Sequence, residues 1–480
     1  MHQAGLPLFA EPIRVAFDVD RGRVVQQPVE DGARDHGIAE YLAPRAQALI
    51  AGEQDRAPLV ASTDQLVVWR ADAQVGVLDT APNGDVRFTY DVDVVTEGHP
   101  GHAIGMRCPV RARAYVGREA EAVFENLLPE GALRRALGQA TKHDVGDTVG
   151  LLGVVGGDCA GALHLWPEGT EPPAVPTYEP CSAAMLQAAF TGAAGQLRQV
   201  TGRASLSGTQ PKLALWRMPP VGGDAPDYRL PMNGAPTTVV VKRPDAAFPG
   251  VLHAELVGMR LMAAAHVPTA SSARCLAAPD CHESARFDRT VRDATTVHRL
   301  HAEDGCQMTG RVSSNKYAGV GAPTFQDLAT LLDRRSVAPL DDREQLYRWA
   351  VANVAMGNYD GHAKNVSVVY VQAELVRLAP AYDVVVTAVH PDLDQTFALS
   401  FGGTTHPRAL TPESLAVAAR EFRLTHARAR ELAADVVQRV RTALPDVLHS
   451  VAQEGGGAML DRLAASVTAT AADMATRLGV

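Results

Sequence analysis

The sequence predicts an α+β fold of two lobes, a mixed helix-and-strand part followed by a mostly helical part. Three observations predict it. Short apolar runs bounded by turn residues, at 66–69, 213–217 and 238–242, read as strands. From Thr324 onward apolar residues recur at helical spacing, as Leu346, Trp349, Ala350 and Val354 do. The chain has 480 residues, too many for one small core, so two or three domains are expected.

Along the chain, residues 1–64 carry a strand signal at 13–17 and a helical run at 38–51, followed by a polar linker at 52–57. Strands are expected at 66–69 and 86–94, the second entered through the turn Pro82-Asn83-Gly84-Asp85, whose Asn and Gly tolerate positive φ. Helices are expected at 120–128 and 133–141. A Pro- and Gly-rich stretch, 167–180, separates this part from a helix at 182–201. A glycine-containing loop, the strands at 213–217 and 238–242 with a Pro- and Gly-rich loop at 219–236 between them, and a helix at 253–265 come next. The helix at 345–357 leads into Asn358-Tyr359-Asp360-Gly361-His362-Ala363-Lys364-Asn365. Strands at 366–371 and 375–378 can pair as a hairpin that returns Asp383 to Asn365. Thr411-Pro412-Glu413 is a helix start, with a capping hydroxyl, Pro in the first turn and then an acid. Residues 414–480 are helical in pattern. The resulting division is an extension at 1–64, a subdomain at 65–180, a sheet-containing lobe at 181–300 and a helical lobe at 301–480.

Composition narrows the function. Apolar residues at 46% and charged residues at 21% fit an ordinary globular protein. A net charge of −9 argues against nonspecific nucleic-acid binding by the chain alone, because a phosphate-tracking surface needs a cationic excess. The six cysteines form no Cys-x-x-Cys pair, so they read as reduced thiols of a cytoplasmic protein rather than a zinc cluster. No signal peptide and no membrane-spanning run is expected. The sixteen histidines form no His-Glu-x-x-His, and no Gly-x-Ser-x-Gly elbow occurs, so zinc-hydrolase and serine-hydrolase chemistry are unsupported.

The chemistry lies in the order Asp360, Asn365, Asp383. In the protein-kinase fold a first Asp accepts the proton of the attacking hydroxyl, and an Asn and a second Asp hold magnesium. Phosphoryl transfer needs positioning and charge neutralisation, which three oxygen-bearing side chains on two loops supply. Upstream, Ser205-Leu206-Ser207-Gly208-Thr209-Gln210-Pro211-Lys212 precedes a strand; small residues let backbone N–H groups approach phosphate, and Lys212 adds charge. It is neither a Walker A nor a Gly-x-Gly-x-x-Gly motif, and alone it reads more often as an ordinary turn into a strand. Lys242 ends an apolar strand, where a kinase keeps its nucleotide lysine, although such lysines are often only solvated termini. Glu255, early in the next helix, is its candidate partner.

These residues, together with Phe124-Glu125-Asn126-Leu127-Leu128-Pro129-Glu130, Gly157-Asp158-Cys159-Ala160-Gly161-Ala162, Arg286-Phe287-Asp288-Arg289, Glu303-Asp304-Gly305-Cys306-Gln307 and Tyr382-Asp383, occur in one order from about 66 to 403. In that order the chain resembles the HipA-like serine/threonine kinases, the toxin halves of bacterial toxin–antitoxin pairs. The resemblance implies a two-lobed protein-kinase-like fold with an extra N-terminal subdomain and a mostly helical C-terminal lobe. It implies Asp360 as catalytic base, and Asn365 and Asp383 as Mg²⁺ ligands. Ser207, Gly208, Thr209, Gln210 and Lys212 would form the phosphate loop for ATP, and Lys242 would be the nucleotide lysine. His362 and Lys364 would line the phosphate side, with Tyr382 beside Asp383. Ala285, Arg286 and Phe287 would form the adenine hinge, largely through backbone groups. Ser205 matches an autophosphorylated serine, whose added charge would expel the loop and repel ATP. The implied partners are a helix-turn-helix, HipB-like antitoxin and, through it, operator DNA. The implied substrate is a protein of translation such as an aminoacyl-tRNA synthetase.

The sequence departs from the family pattern in several places. Residues 1–64 have no counterpart in the family core, Ala285 replaces a frequent acid, and Gly361 stands where a second acid is common. Pro211 removes one backbone donor from the phosphate loop. Ala285 and Gly361 motivate an alternative expectation, a catalytically silent scaffold on an antitoxin–DNA complex. A kinase of small molecules or lipids on the same fold is a third.

Overall fold

A computed structural model of the chain describes residues 65–190, 203, 205, 210–218, 226–244, 248–292 and 296–480. The strand signal at 13–17, the helical run at 38–51, and Ser207, Gly208 and Thr209 lie outside the described residues.

The first subdomain is built on a five-stranded antiparallel sheet in the order Tyr115–Val116, Val86–Tyr90, Ala73–Thr80, Gln65–Arg70, Leu163–Pro167. Gln65–Arg70 alternates half-buried and buried side chains, the period of a strand with one face on a core. Leu66, Val68, Leu78 and Phe88 point into that core against the helices Arg118–Phe124 and Thr148–Val155. The strand expected at 86–94 stops earlier, because Asp91 takes the N-cap position of a short helix, Val92–Glu97. Ala73–Thr80 was not singled out in the sequence.

A second sheet has six antiparallel strands in the order Ser272–Arg274, His282–Ala285, Val239–Lys242, Lys212–Met218, Asp227–Met232, Thr177–Pro180. Two of these correct the sequence reading. Asp227–Met232 lies inside the expected loop at 219–236, and Thr177–Pro180 pairs with it from within the Pro- and Gly-rich stretch. Proline hid both: Pro231 and Pro180 interrupt the strand signal but are tolerated near a sheet edge. The second sheet thus recruits residues that the expected boundary at 180 placed in the first subdomain. The helix expected from 182 runs over Ala183–Ala188, with the Ser182 side chain accepting from the Met185 N–H, and residues 191–202 lie outside the described set.

Helix Val251–Ala264 packs both on the helical lobe and below this sheet. That lobe centres on Pro339–Met356, almost wholly buried in its C-terminal half and flanked by His426–Ala452 and Ala458–Leu478. Thr411 caps Pro412–Glu421 in a reciprocal arrangement with Ser414. The expected hairpin forms as Ser367–Gln372 with Leu375–Leu378, and Ala302–Asp304 adds a third strand. Among the described residues no helix is long and apolar enough to cross a membrane.

Candidate active site

The catalytic turn begins where Pro339–Met356 ends. Gly357 adopts φ +79°, and a Cβ there would sit 2.6 Å from the Ala388 Cβ, so the exit of this helix requires glycine. Asn358 Nδ2 donates to Asn353 Oδ1 at 2.9 Å, and its own Oδ1 accepts from the Asp360 N–H at 3.2 Å. Asn365 Nδ2 closes the turn on the Asp360 carbonyl at 3.2 Å. The half-buried Asp360 presents Oδ1 to the Tyr317 hydroxyl at 3.0 Å. Gly361 has a packing reason: a Cβ would lie 3.1 Å from both Trp349 and Asn353, so the acid common in the family would be crowded here.

The hairpin brings the second acid back. The Tyr382 hydroxyl donates to the Lys364 carbonyl at 2.6 Å and also bonds Ser367 Oγ. Asn365 and Asp383 each stand one residue from that tie. Asp383 has φ +54°, an uncommon conformation for a side-chain-bearing residue and one that concentrates at functional sites. Its Oδ1 lies 2.6 Å from Lys242 Nζ, which also reaches Glu255 Oε1 at 3.1 Å; all three side chains are buried. The structure therefore joins Lys242, Glu255 and Asp383, as the sequence suggested for the first two.

Lys212 is the cross-strand neighbour of Lys242 and is equally buried. Burial first, and the Lys242 charge second, push its ammonium down to about 7, against the opposing pull of Asp383 and Glu130. Gln210 Nε2 donates to the Arg243 carbonyl at 3.1 Å. Ser205 is fully buried: its hydroxyl bonds the Leu127 carbonyl, and its N–H bonds the Asp158 carbonyl at 3.0 Å.

At the expected hinge, the Arg286 N–H bonds the Thr238 carbonyl at 2.8 Å, and Phe287 stacks on Tyr382 with ring centroids 5.5 Å apart. The Arg286 side chain turns away from the cleft. Its guanidinium reaches Asp158 at 3.0 Å, Asp288 at 3.0 Å, Thr237 Oγ1 and the Cys159 carbonyl. Arg289 meets the other Asp158 oxygen at 2.7 Å. Burial opposes the charge on Asp158, but Arg286, Arg289 and Arg299 hold its carboxyl well below the usual carboxylate range. Lys364 is similarly committed, to Asp304 Oδ2 at 2.7 Å and to Asn126 Oδ1 at 2.9 Å. His362 is buried, with Tyr317 packed edge-on against its ring at 5.2 Å.

Sequence reasoning did not assign roles to Tyr317, Lys316 or the Asp158 ion cluster. Phe124–Glu130 and Gly157–Ala162 were visible as motifs, and the assembled structure bonds them to the lobes, Asn126 to Arg311 and Lys364, Glu130 to Lys316, and Asp158 to Arg286 and Arg289.

Asn365 Oδ1 is buried and accepts no hydrogen bond among the described residues. A buried acceptor left this way is costly unless a donor, a water or a cation satisfies it. An amide oxygen and a carboxylate across one loop tie are hard oxygen ligands of the kind magnesium takes, so Asn365 and Asp383 fit that ion. Lys242 beside them fits phosphate oxygens.

A strand lysine paired with a helix glutamate above an Asp–Asn–Asp set defines a kinase-like protein. Comparison with known proteins specifies it: the profile of the HipA-like C-terminal domain matches residues 204–444, and that of the HipA N-terminal domain matches residues 66–166. Y4mE of Sinorhizobium fredii, named as a candidate kinase, is 34% identical over 355 residues, which are 70% of this chain and 80% of that protein. The serine/threonine-protein kinase toxin HipA of Shewanella oneidensis is 26% identical over 310 residues, 61% of this chain and 68% of that one. HipA in a solved complex with HipB and operator DNA from Shewanella oneidensis MR-1 superimposes with a TM-score of 0.71 at 21% identity, covering 86% of this chain and 97% of that one. The chain belongs to the HipA-like family and has its α+β, kinase-like fold.

Proposed function

We propose that this chain is an ATP- and Mg²⁺-dependent protein serine/threonine kinase, the growth-arresting toxin of a toxin–antitoxin pair. The observation that carries the reading is Lys242 bridging Glu255 and Asp383 beside the Asp360–Asn365 turn. Asp360 accepts the proton of a serine or threonine hydroxyl as that oxygen bonds to the γ-phosphorus and the bond to the ADP oxygen breaks. Lys242 holds the nucleotide phosphates, and Asn365 and Asp383 hold the magnesium, which supplies charge neutralisation when bound. The Arg286–Phe287 backbone serves adenine, with Phe287 kept in place by Tyr382. Lys212, Gln210 and the loop residues Ser207, Gly208 and Thr209 serve the phosphates. His362 and Lys364 support this side from below, His362 through Tyr317 and Lys364 through Asp304.

The buried Ser205 supports a self-silencing role. A phosphoryl group cannot replace its bond to the Leu127 carbonyl, so a modified loop has to stay out. The described complex of a family fold with HipB and operator DNA supports a HipB-like helix-turn-helix antitoxin as partner. A cytoplasmic translation protein, such as an aminoacyl-tRNA synthetase, is the substrate class this reading carries.

The test is expression without antitoxin, beside Asp360→Asn, with labelled ATP added to the lysates. Growth arrest and protein labelling by the wild type alone are expected. Equal arrest by both forms would overturn the enzyme reading in favour of a silent scaffold.

A further inference from the structure

Tyr317 sits on the segment between the helices Gly305–Thr309 and Phe325–Arg335, far in sequence from the turn it serves. Its hydroxyl donates to Asp360 Oδ1 at 3.0 Å. A base must be held in one rotamer to meet an incoming hydroxyl, and a donor on one carboxylate oxygen does that.

Tyr317 is itself held on both flanks. The preceding Lys316 accepts the Ala363 N–H of the catalytic turn on its carbonyl at 3.1 Å. The following Ala318 donates to the Ala398 carbonyl at 2.6 Å, and the Ala398 N–H returns to the Tyr359 carbonyl at 2.8 Å. The buried Lys316 ammonium pairs with Glu130 at 2.6 Å and lies 5.3 Å from the Tyr317 ring centroid. Glu130 belongs to the N-terminal subdomain. The same short stretch fixes this segment twice more, through Glu125 to the Ser313 N–H at 2.9 Å and through Asn126 Nδ2 to the Arg311 carbonyl at 2.7 Å.

We infer that Tyr317 is a positioning residue for the Asp360 carboxylate, set in place by the Glu130–Lys316 pair, so that the N-terminal subdomain is a working part of the catalytic site. The inference rests on Asp360 being the base. The contacts run from Glu130 to Lys316, to Tyr317, to Asp360.

The test uses the full chain and reads two quantities separately: the rate of phosphoryl transfer at saturating Mg²⁺–ATP, and the affinity for a fluorescent ATP analogue. Tyr317→Phe keeps the ring against His362 and deletes only the hydroxyl. It should lower the rate about tenfold with nucleotide affinity unchanged. Lys316→Met should lower the rate in the same way. The double variant should be no slower than the slower single variant, because both act through one contact. A Tyr317→Phe rate within about twofold of wild type, or losses that add in the double variant, overturns the inference. Asp360→Asn separates the two claims. If it loses activity while Tyr317→Phe does not, only the positioning role falls. If it keeps wild-type activity, or the wild type transfers no phosphate, the base assignment falls and the positioning role with it.

Discussion

Lys242 Nζ lies closer to Asp383 Oδ1, at 2.6 Å, than to Glu255 Oε1, at 3.1 Å. The lysine assigned to phosphates and the carboxylate assigned to magnesium thus neutralise one another in the protein alone. Lys242→Met would remove the ammonium that two buried carboxylates share, a change that costs roughly 3 kcal/mol. Urea denaturation should show that loss, and phosphoryl transfer should disappear. A variant as stable as the wild type would show that the lysine does not compensate those acids.

Lys212 gives a pH dependence of definite sign. Its ammonium is pushed from 10.5 down to about 7 in the folded protein. Between those values the unfolded chain holds a proton that the folded chain has released. Stability therefore rises with pH across that window, and the cost of burying the charge is greatest below about pH 7. Lys212→Met should be more stable than wild type near neutrality, with the advantage shrinking as the pH approaches 10.5. Denaturation curves across this window check it; a constant difference would contradict it.

Glu303 works in the opposite sense. Burial raises its carboxyl from 4.5 to about 7, despite hydrogen bonds from the Tyr370 hydroxyl and the Met106 N–H. The folded protein keeps a proton there that the unfolded chain gives up, so stability falls as pH rises from 4.5 through about 7. Glu303→Gln retains an acceptor for Met106 and carries no charge. It should gain on the wild type above about pH 7 and lose that advantage toward pH 4.5. Because Met106 belongs to the first subdomain, the melting of that subdomain reports the effect.

Asp158 is the common counter-ion of Arg286, Arg289 and Arg299. Asp158→Asn leaves buried guanidiniums undercompensated and should cost roughly 3 kcal/mol. Since Arg286 lies in the proposed hinge and the Asp158 carbonyl accepts from the Ser205 N–H, nucleotide affinity should fall with it. Titration with a fluorescent ATP analogue measures this, and unchanged affinity would separate the cluster from the cleft.

Local signals made much of this legible. The hairpin after Asn365, the strand ending at Lys242 and the capped helix at Thr411 follow from residue types within a few positions of one another. Lys242–Glu255 was accessible because the two are only 13 residues apart on adjoining elements. The contact between Tyr317 and Asp360 spans 43 residues, and that between Asn126 and Lys364 spans 238. No periodicity reports such pairings; they arise when separate lobes close on each other. The strand Asp227–Met232 was missed for a different reason. Its proline and charges lower its strand propensity, and pairing with both Lys212–Met218 and Thr177–Pro180 overrides that.

The most direct measurement is intact mass with peptide mapping of dephosphorylated protein, before and after Mg²⁺–ATP, beside Asp360→Gln. One phosphoryl group gained on Ser205 by the wild type and not by the variant is the predicted result. A wild type that adds no phosphate to itself or to any lysate protein would contradict the kinase assignment.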